Sequence, residues 1–181
     1  MTHAASLVVP DLPVGRVLPA VLAPHGVLST PCAEVDPRDP QVIQLAADLL
    51  ATMAVSPGCV GLAANQVGVG VKAFCLDVSD HPKTKLCHGR FVLLNAVIEE
   101  ASRNEKSREG CLSVPDFTGD VKRATRLTVR GVFPVTGDEV VIMTDGFEAR
   151  ALQHEIDHTD GLLFLDRVAG AHAIHARTTY L

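Results

Sequence analysis

Two stretches of helical periodicity flank a run of strand-like segments, and this order limits the fold more than any other feature of the chain. DPRDPQVIQLAADLLATMAVSPG (36–58) opens on Asp and Pro, repeats apolar residues at Val42, Leu45, Ala46, Leu49, Leu50 and Met53, and stops at Pro57-Gly58. That pattern predicts an amphipathic helix over 41–54. FEARALQHEIDHTDGLLF (147–164) returns to the same period. It sets Phe147, Ala151 and Leu152 toward a core, turns His154, Glu155 and His158 toward a site, and reaches a helix stop at Gly161. Between them lie VKAFCLDV (71–78), RFVLLNAVIEE (90–100), RLTVRGVF (126–133) and DEVVIMTDG (138–146), β-branched or aromatic runs bounded by Gly, Pro, Asn or Asp. Helices that bracket strands, rather than alternating with them, call for an α+β domain. SREGCLSVPDFTGDVKR (107–123), with Pro115 and two glycines, predicts loop or edge strand. One domain over 1–181 is expected, with residues 1–25 as an irregular N-terminal wrap and 168–181 as a tail.

Composition excludes several functions. A net charge of −5 and the lack of any extended Lys/Arg run argue against a dedicated or sequence-specific nucleic-acid binder. The apolar N-terminal stretch LVVPDLPVGRVLPAVLAP is broken by Pro10, Pro13, Pro19 and Pro24 and reads as neither signal peptide nor membrane helix. Five cysteines without paired spacing predict free thiols in a reducing cytoplasm.

QHEIDH (153–158) carries the most explicit chemistry. On a helix, His154 and His158 share one face and can reach one ion, while Glu155 is placed to take a proton from water rather than to ligate. The plainer reading is a polar helix with solubilising His and Glu, and Asp157 and Asp160 read as solvated or helix-terminal residues. Two histidines leave a catalytic site short of a third ligand. Downstream, Asp160, Asp166, His172 and His175 do not follow the H-x-x-G-x-x-H spacing. Upstream, Cys111 in EGCLSVP offers a thiolate in a Gly-flanked turn, although a lone Cys is more often a small buried hydrophobe. GCVGLAANQVG (58–68) is compatible with close backbone approach and with Gln66 as an oxyanion donor, or with a tight turn after the helix. It lacks the Lys-Ser/Thr of a phosphate-binding loop.

Taken together, CVGLAANQ (59–66), EGCLS (109–113) and QHEIDH (153–158) resemble, in order, the signatures of the peptide deformylase family. The resemblance runs from the helix at 41–54 to about Asp166. It implies a deformylase-like α+β fold, with mixed or antiparallel strands around a metal-bearing C-terminal helix. It also implies hydrolysis of the formyl group from N-formylmethionyl nascent peptides in the cytoplasm, with a transient ribosome contact and no membrane. Carried over position by position, Cys111, His154 and His158 hold one divalent ion, ferrous iron in the family with zinc, nickel or cobalt as substitutes. Glu155 is general base and acid, and Gln66 with the Leu112 N–H stabilises the oxyanion. Val60, Gly61 and Gly110 line the bound peptide, and Glu109 pairs with Arg123 to support the Cys111 turn.

The chain departs from the family pattern in four places. Cys59 stands where a Gly is usual, so a narrowed cleft with reduced or no activity is an alternative, as is another metal-dependent amidase or peptidase. Thr159 replaces a Leu and Glu148 an apolar residue, which predicts altered packing behind the metal helix. The segment DFTGDVK (116–122) lacks an Arg often found there.

Overall fold

The computed structural model describes residues 7, 10–85 and 87–178. Residues 1–6, 8 and 9 of the expected N-terminal wrap, and 179–181 of the expected tail, lie outside the described residues. Helix α1 spans Pro40–Val55. It begins where the Asp39 side chain accepts from Gln41 N and Pro occupies the first turn, whose free N–H positions a proline does not waste. The strands follow as β1 (Gly61–Ala63), β2 (Ala73–Leu76), β3 (Phe91–Cys111), β4 (Val114–Val132) and β5 (Glu139–Asp145). Helix α2 (Gly146–Thr159) comes next, and β6 (Ile174–Ala176) closes the described chain.

The five strands β1 to β5 lie side by side in chain order, each antiparallel to its neighbour, and β6 joins β4 at Phe117–Gly119. Side chains alternate across a strand, so the two faces of β2 and β3 can be read separately. Phe74, Leu76, Phe91 and Leu93 pack with Ala149, Ala151, Leu152 and Ile156 of α2. Their neighbours Ala73, Cys75, Val92 and Leu94 pack with Val42, Leu45, Ala46, Leu49 and Met53 of α1. One helix therefore covers each face, which is why AFCL is buried at all four positions and shows no polar alternation.

Of the two alternatives expected for 107–123, loop or edge strand, the strand alternative holds. Those residues are not loop: they form the end of β3 and the start of β4, a hairpin whose tight turn is Leu112-Ser113. Pro115 is accommodated because it lies at the second position of its strand, beside the turn, where a missing donor costs least. Gly119 is required by packing, since a Cβ there would come within 2.8 Å of Phe164 and Val168. The cover over β4 that makes this stretch a strand comes from residues some 45 positions away, so no local pattern announces it.

The N-terminal segment 10–25 carries no regular element. It is tied to α1 by Arg16, whose N, Nε and Nη2 donate to Asp48, and by Leu18 N to Thr52, and beyond α1 by Val21 N to Gln66 O and Ala23 N to Ser113 O. No helix among the described residues is long and apolar enough to cross a membrane.

Candidate metal centre

Helix α2 presents His154 and His158 one turn apart, with ring centroids 4.9 Å from each other. The β3–β4 turn brings in Cys111, whose Sγ is 3.2 Å from His158 Nε2. One ligand atom from each of Cys111, His154 and His158 lies within 4.8 Å of the other two. Two imidazoles and a thiol suit a zinc-like or ferrous ion, and three protein ligands leave one position open. Burial alone would raise the Cys111 thiol, but the imidazoles of His158 and His154 outweigh it and hold it well below the ordinary thiol range. The thiolate that a metal needs is thus already favoured. The residues fit a divalent metal. His172 and His175 take no part in the cluster, and His175 instead faces Asp120 at 3.2 Å. Asp166 accepts from Leu163 N.

The ligands are held by a buried ionic network. Glu109, next but one to Cys111, receives Arg123 Nε and Nη2 at 2.7 and 2.9 Å, Arg150 Nη1 at 2.6 Å, and His154 Nδ1 at 3.1 Å. That last bond commits Nδ1 and leaves Nε2 for the ion, the arrangement by which a carboxylate orients a ligating imidazole. Burial would raise the Glu109 carboxyl, yet His154 and Arg123 together bring it down to about 2. Arg123 also donates to Asp157 at 2.7 Å, and Arg167 does so at 2.6 Å. Asp157 is therefore not the solvated residue expected from sequence but a buried counter-ion, 6% exposed. Arg150 and Asp157 were legible in principle: they lie four residues before and three after His154, spacings that place helix residues beside one another. Arg167 carries no such signal.

Glu155 is buried against the cluster with its Oε2 unpartnered, and desolvation raises its carboxyl above the usual range even though His154 and His158 pull it down. It lies against β1, where a Cβ on Gly61 would stand 2.5 Å from Glu155 Oε1. Gln66 follows β1 in a short 3-10 turn and is buried. Its Oε1 accepts from Ala63 N at 2.9 Å, which turns Nε2 toward Cys111 Sγ and Ser113 Oγ, each 3.3 Å away. The stretch read as a possible turn is thus a strand leading into that 3-10 turn.

A cleft of about 390 Å³ opens over these groups, lined on one side by Cys59, Val60 and Gly61 and on the other by Gly110, Cys111 and Leu112. Cys59 does not fill it: the side chain turns so that Sγ lies 3.1 Å from Gly61 O, and its backbone is not among the non-glycine residues with positive φ. Burial and the nearby Glu155 push its thiol up to about 12, so it carries no charge near neutrality. Thr159, behind the metal helix, is 2% exposed, and its hydroxyl donates to Ile156 O at 2.8 Å. Glu148 is buried too, and it is satisfied by His88 N, His88 Nδ1 and Thr144 Oγ1 at 2.6–2.8 Å.

The family model described as polypeptide deformylase matches residues 17–173. Peptide deformylase 2 of Streptomyces avermitilis is 39% identical over 156 residues, covering 86% of this chain and 82% of its own. Among solved structures, the peptide deformylase of Ehrlichia chaffeensis superposes with a TM-score of 0.78 at 34% identity, covering 85% of this chain and 89% of its own. A Met-Ala-Ser-bound peptide deformylase from Acinetobacter baumannii gives a TM-score of 0.75 at 32% identity, covering 84% and 99%. With the Cys-His-His cluster and the fold of these structures both present, the chain belongs to the polypeptide deformylase family.

Proposed function

We propose that this protein is a metal-dependent hydrolase that removes the formyl group from the N-terminal formylmethionine of nascent peptides, releasing formate. The observation that carries the reading is Glu155, buried beside the Cys111–His154–His158 cluster with one carboxylate oxygen free of any partner and the cleft above it. Bound by those three residues, a divalent ion supplies Lewis acidity, lowering the pKa of water toward about 7 and polarising a carbonyl oxygen. Ferrous iron is the proposed resident ion, with zinc, nickel or cobalt as functional substitutes. A ferrous thiolate site of this kind is oxygen-sensitive, since the ligand sulfur is itself oxidisable.

The protein's own groups do the rest. Glu155 accepts a proton as water attacks the formyl carbon. Gln66 Nε2, aimed into the site by the bond from Ala63 N to Oε1, donates with the Leu112 N–H to the formyl oxygen as negative charge develops there. Glu155 then returns the proton to the methionine nitrogen as the C–N bond breaks, leaving formate and a free amine. Glu109 and Arg123 position rather than react. The peptide backbone enters as an extra strand between two open edges: the outer edge of β1 at Val60 and Gly61, and the end of β3 at Gly110, which pairs with β4 on its other side. The whole chain acts as one catalytic domain, in the cytoplasm, with a transient ribosome contact that presents the nascent peptide. The bound Met-Ala-Ser of the Acinetobacter protein supports a peptide in this cleft.

Release of formate from formyl-Met-Ala-Ser by protein loaded anaerobically with ferrous iron or nickel tests the reading. The absence of formate under conditions where another deformylase works would overturn it, and cleavage of an acetylated internal peptide would instead favour a general peptidase. Cys111→Ala, His154→Ala and His158→Ala are each expected to lose most bound metal, measured by elemental analysis after gel filtration. Gly61→Ala forces Glu155 or β1 to move, and is expected to lower kcat by about 10²-fold while metal content is retained.

A further inference from the structure

The cleft of the proposed deformylase contains a cation that neither the metal network nor the proposed chemistry uses. β6 pairs with β4 through Phe117–Ala176, Thr118–His175 and Gly119–Ile174, and Arg177 N continues the contact by donating to Asp116 O at 2.8 Å. This delivers the Arg177 side chain to the mouth of the cleft, where its guanidinium lies over Gly110 so closely that a Cβ at that position would collide with Nη2. Two other guanidinia line the same cleft, and both are committed. Arg108 is held by Asp120 at 2.7 Å and Thr118 at 3.3 Å, and Arg150 by Glu109 and two backbone carbonyls. Arg177 makes no side-chain hydrogen bond or ion pair among the described residues, and its Nε is shut off from solvent with no acceptor. A buried donor without a partner costs about 1–3 kcal/mol, and more when it is charged, so the arrangement is completed by an oxygen that arrives with the ligand. The acids lining the cleft do not supply it: Glu109 is saturated by Arg123, Arg150 and His154, and Glu155 lies behind Gly61.

We propose that Arg177 is a specificity-determining residue that binds a carboxylate on the peptide shortly after its formylated methionine, selecting nascent chains with Asp or Glu near the start. The inference rests on the proposed peptide-binding reading of the cleft. A peptide added alongside Gly110 runs directly beneath the guanidinium, and among the described residues that line the cleft Lys83 adds positive charge while the two acids, Glu109 and Glu155, are buried. Because the partner arrives on the substrate, the contact acts on binding more than on the chemical step.

The test uses matched peptides that differ only in charge: formyl-Met-Ala-Asp-amide against formyl-Met-Ala-Asn-amide, and formyl-Met-Asp-Ala-amide against its Asn counterpart. Formate release is followed on the metal-loaded protein, and the Kd of the corresponding deformylated peptides is measured by calorimetry. The wild type is expected to favour Asp in at least one pair by about fivefold, through KM, with the preference shrinking at high salt. Arg177→Gln is expected to erase it while changing the Asn peptides less than about twofold, and Arg177→Lys to retain part of it. Equal use of Asp and Asn by the wild type would overturn the proposal. So would Arg177→Gln weakening both peptides alike, which marks a strand anchor only, or improving both, which marks a plug. If the peptides bind with the Asp preference but no formate appears, the proposed reaction fails and the carboxylate site stands; formate without the preference gives the reverse.

Discussion

Glu155→Gln is expected to retain metal at wild-type stoichiometry and to lose formate release by about 10³-fold, within the range that a positioned general acid–base group supplies. The substitution preserves shape in a site with no spare room, where Gly61 already lacks the space for a Cβ against the same side chain. What it removes is the ability to accept a proton. Glu155 is suited to that task because it is buried at 3% exposure, its Oε2 has no partner, and burial raises its carboxyl, so it binds a proton more readily than an exposed glutamate does. The nearby imidazoles moderate that rise. Metal analysis and formate release on one preparation separate the two roles. An undiminished rate would refute Glu155 as the base, and loss of metal would show that it ligates or supports a ligand instead.

Arg123→Met should have the largest effect on stability. Arg123 is 4% exposed and bridges two buried carboxylates, accepting none of the charge balance from solvent. Removing one member of a buried charged network leaves its partners uncompensated, at a cost of about 3–5 kcal/mol. Arg150 and His154 still reach Glu109, and Arg167 still reaches Asp157, which places the expected loss near the lower figure. For a chain of this size it corresponds to a fall in Tm of about 10 °C, read by urea or thermal unfolding of the metal-free protein. Metal affinity should also weaken, by about 10- to 100-fold, because Glu109 orients His154. A double-mutant cycle with Glu109→Gln isolates the pair. A loss below about 1 kcal/mol in Arg123→Met would show that the remaining arginines carry the network by themselves.

The parts of this protein legible in its sequence are those whose determinants lie close together along the chain. Helix α1 declares itself through its period, its Asp39-Pro40 start and its Pro57-Gly58 end. His154, Glu155 and His158 declare themselves because one helical turn places them together whatever surrounds it. Cys111 joins them across the sheet, and there the reading rests on the resemblance carried by three motifs, since the 42 residues between Cys111 and His154 carry no geometric information about where a turn will land. For residues 107–123 the sequence leaves loop and edge strand both open, because Pro and Gly are local signals of a loop, whereas the strand is imposed by Phe164, Val168 and β6 packing over β4.

The ionic environment followed the same division. Asp157 in a row of polar residues reads as solvated, and only the convergence of Arg123 and Arg167 from other segments makes it a buried counter-ion. From sequence, Cys59 predicts a narrowed cleft and Thr159 altered packing. Backbone geometry and a bond to Ile156 O leave the cleft open beside one and the packing closed around the other. By itself, then, the sequence determined the two helices, the strand segments at 71–78, 90–100, 126–133 and 138–146, the paired histidines with their glutamate, and the family. Only the tertiary structure decided which cations neutralise the buried acids, how the thiolate is favoured, and that the guanidinium of Arg177 overhangs the cleft. Local periodicity follows from backbone geometry over a few residues, whereas burial and charge compensation depend on segments that meet only after the chain has folded.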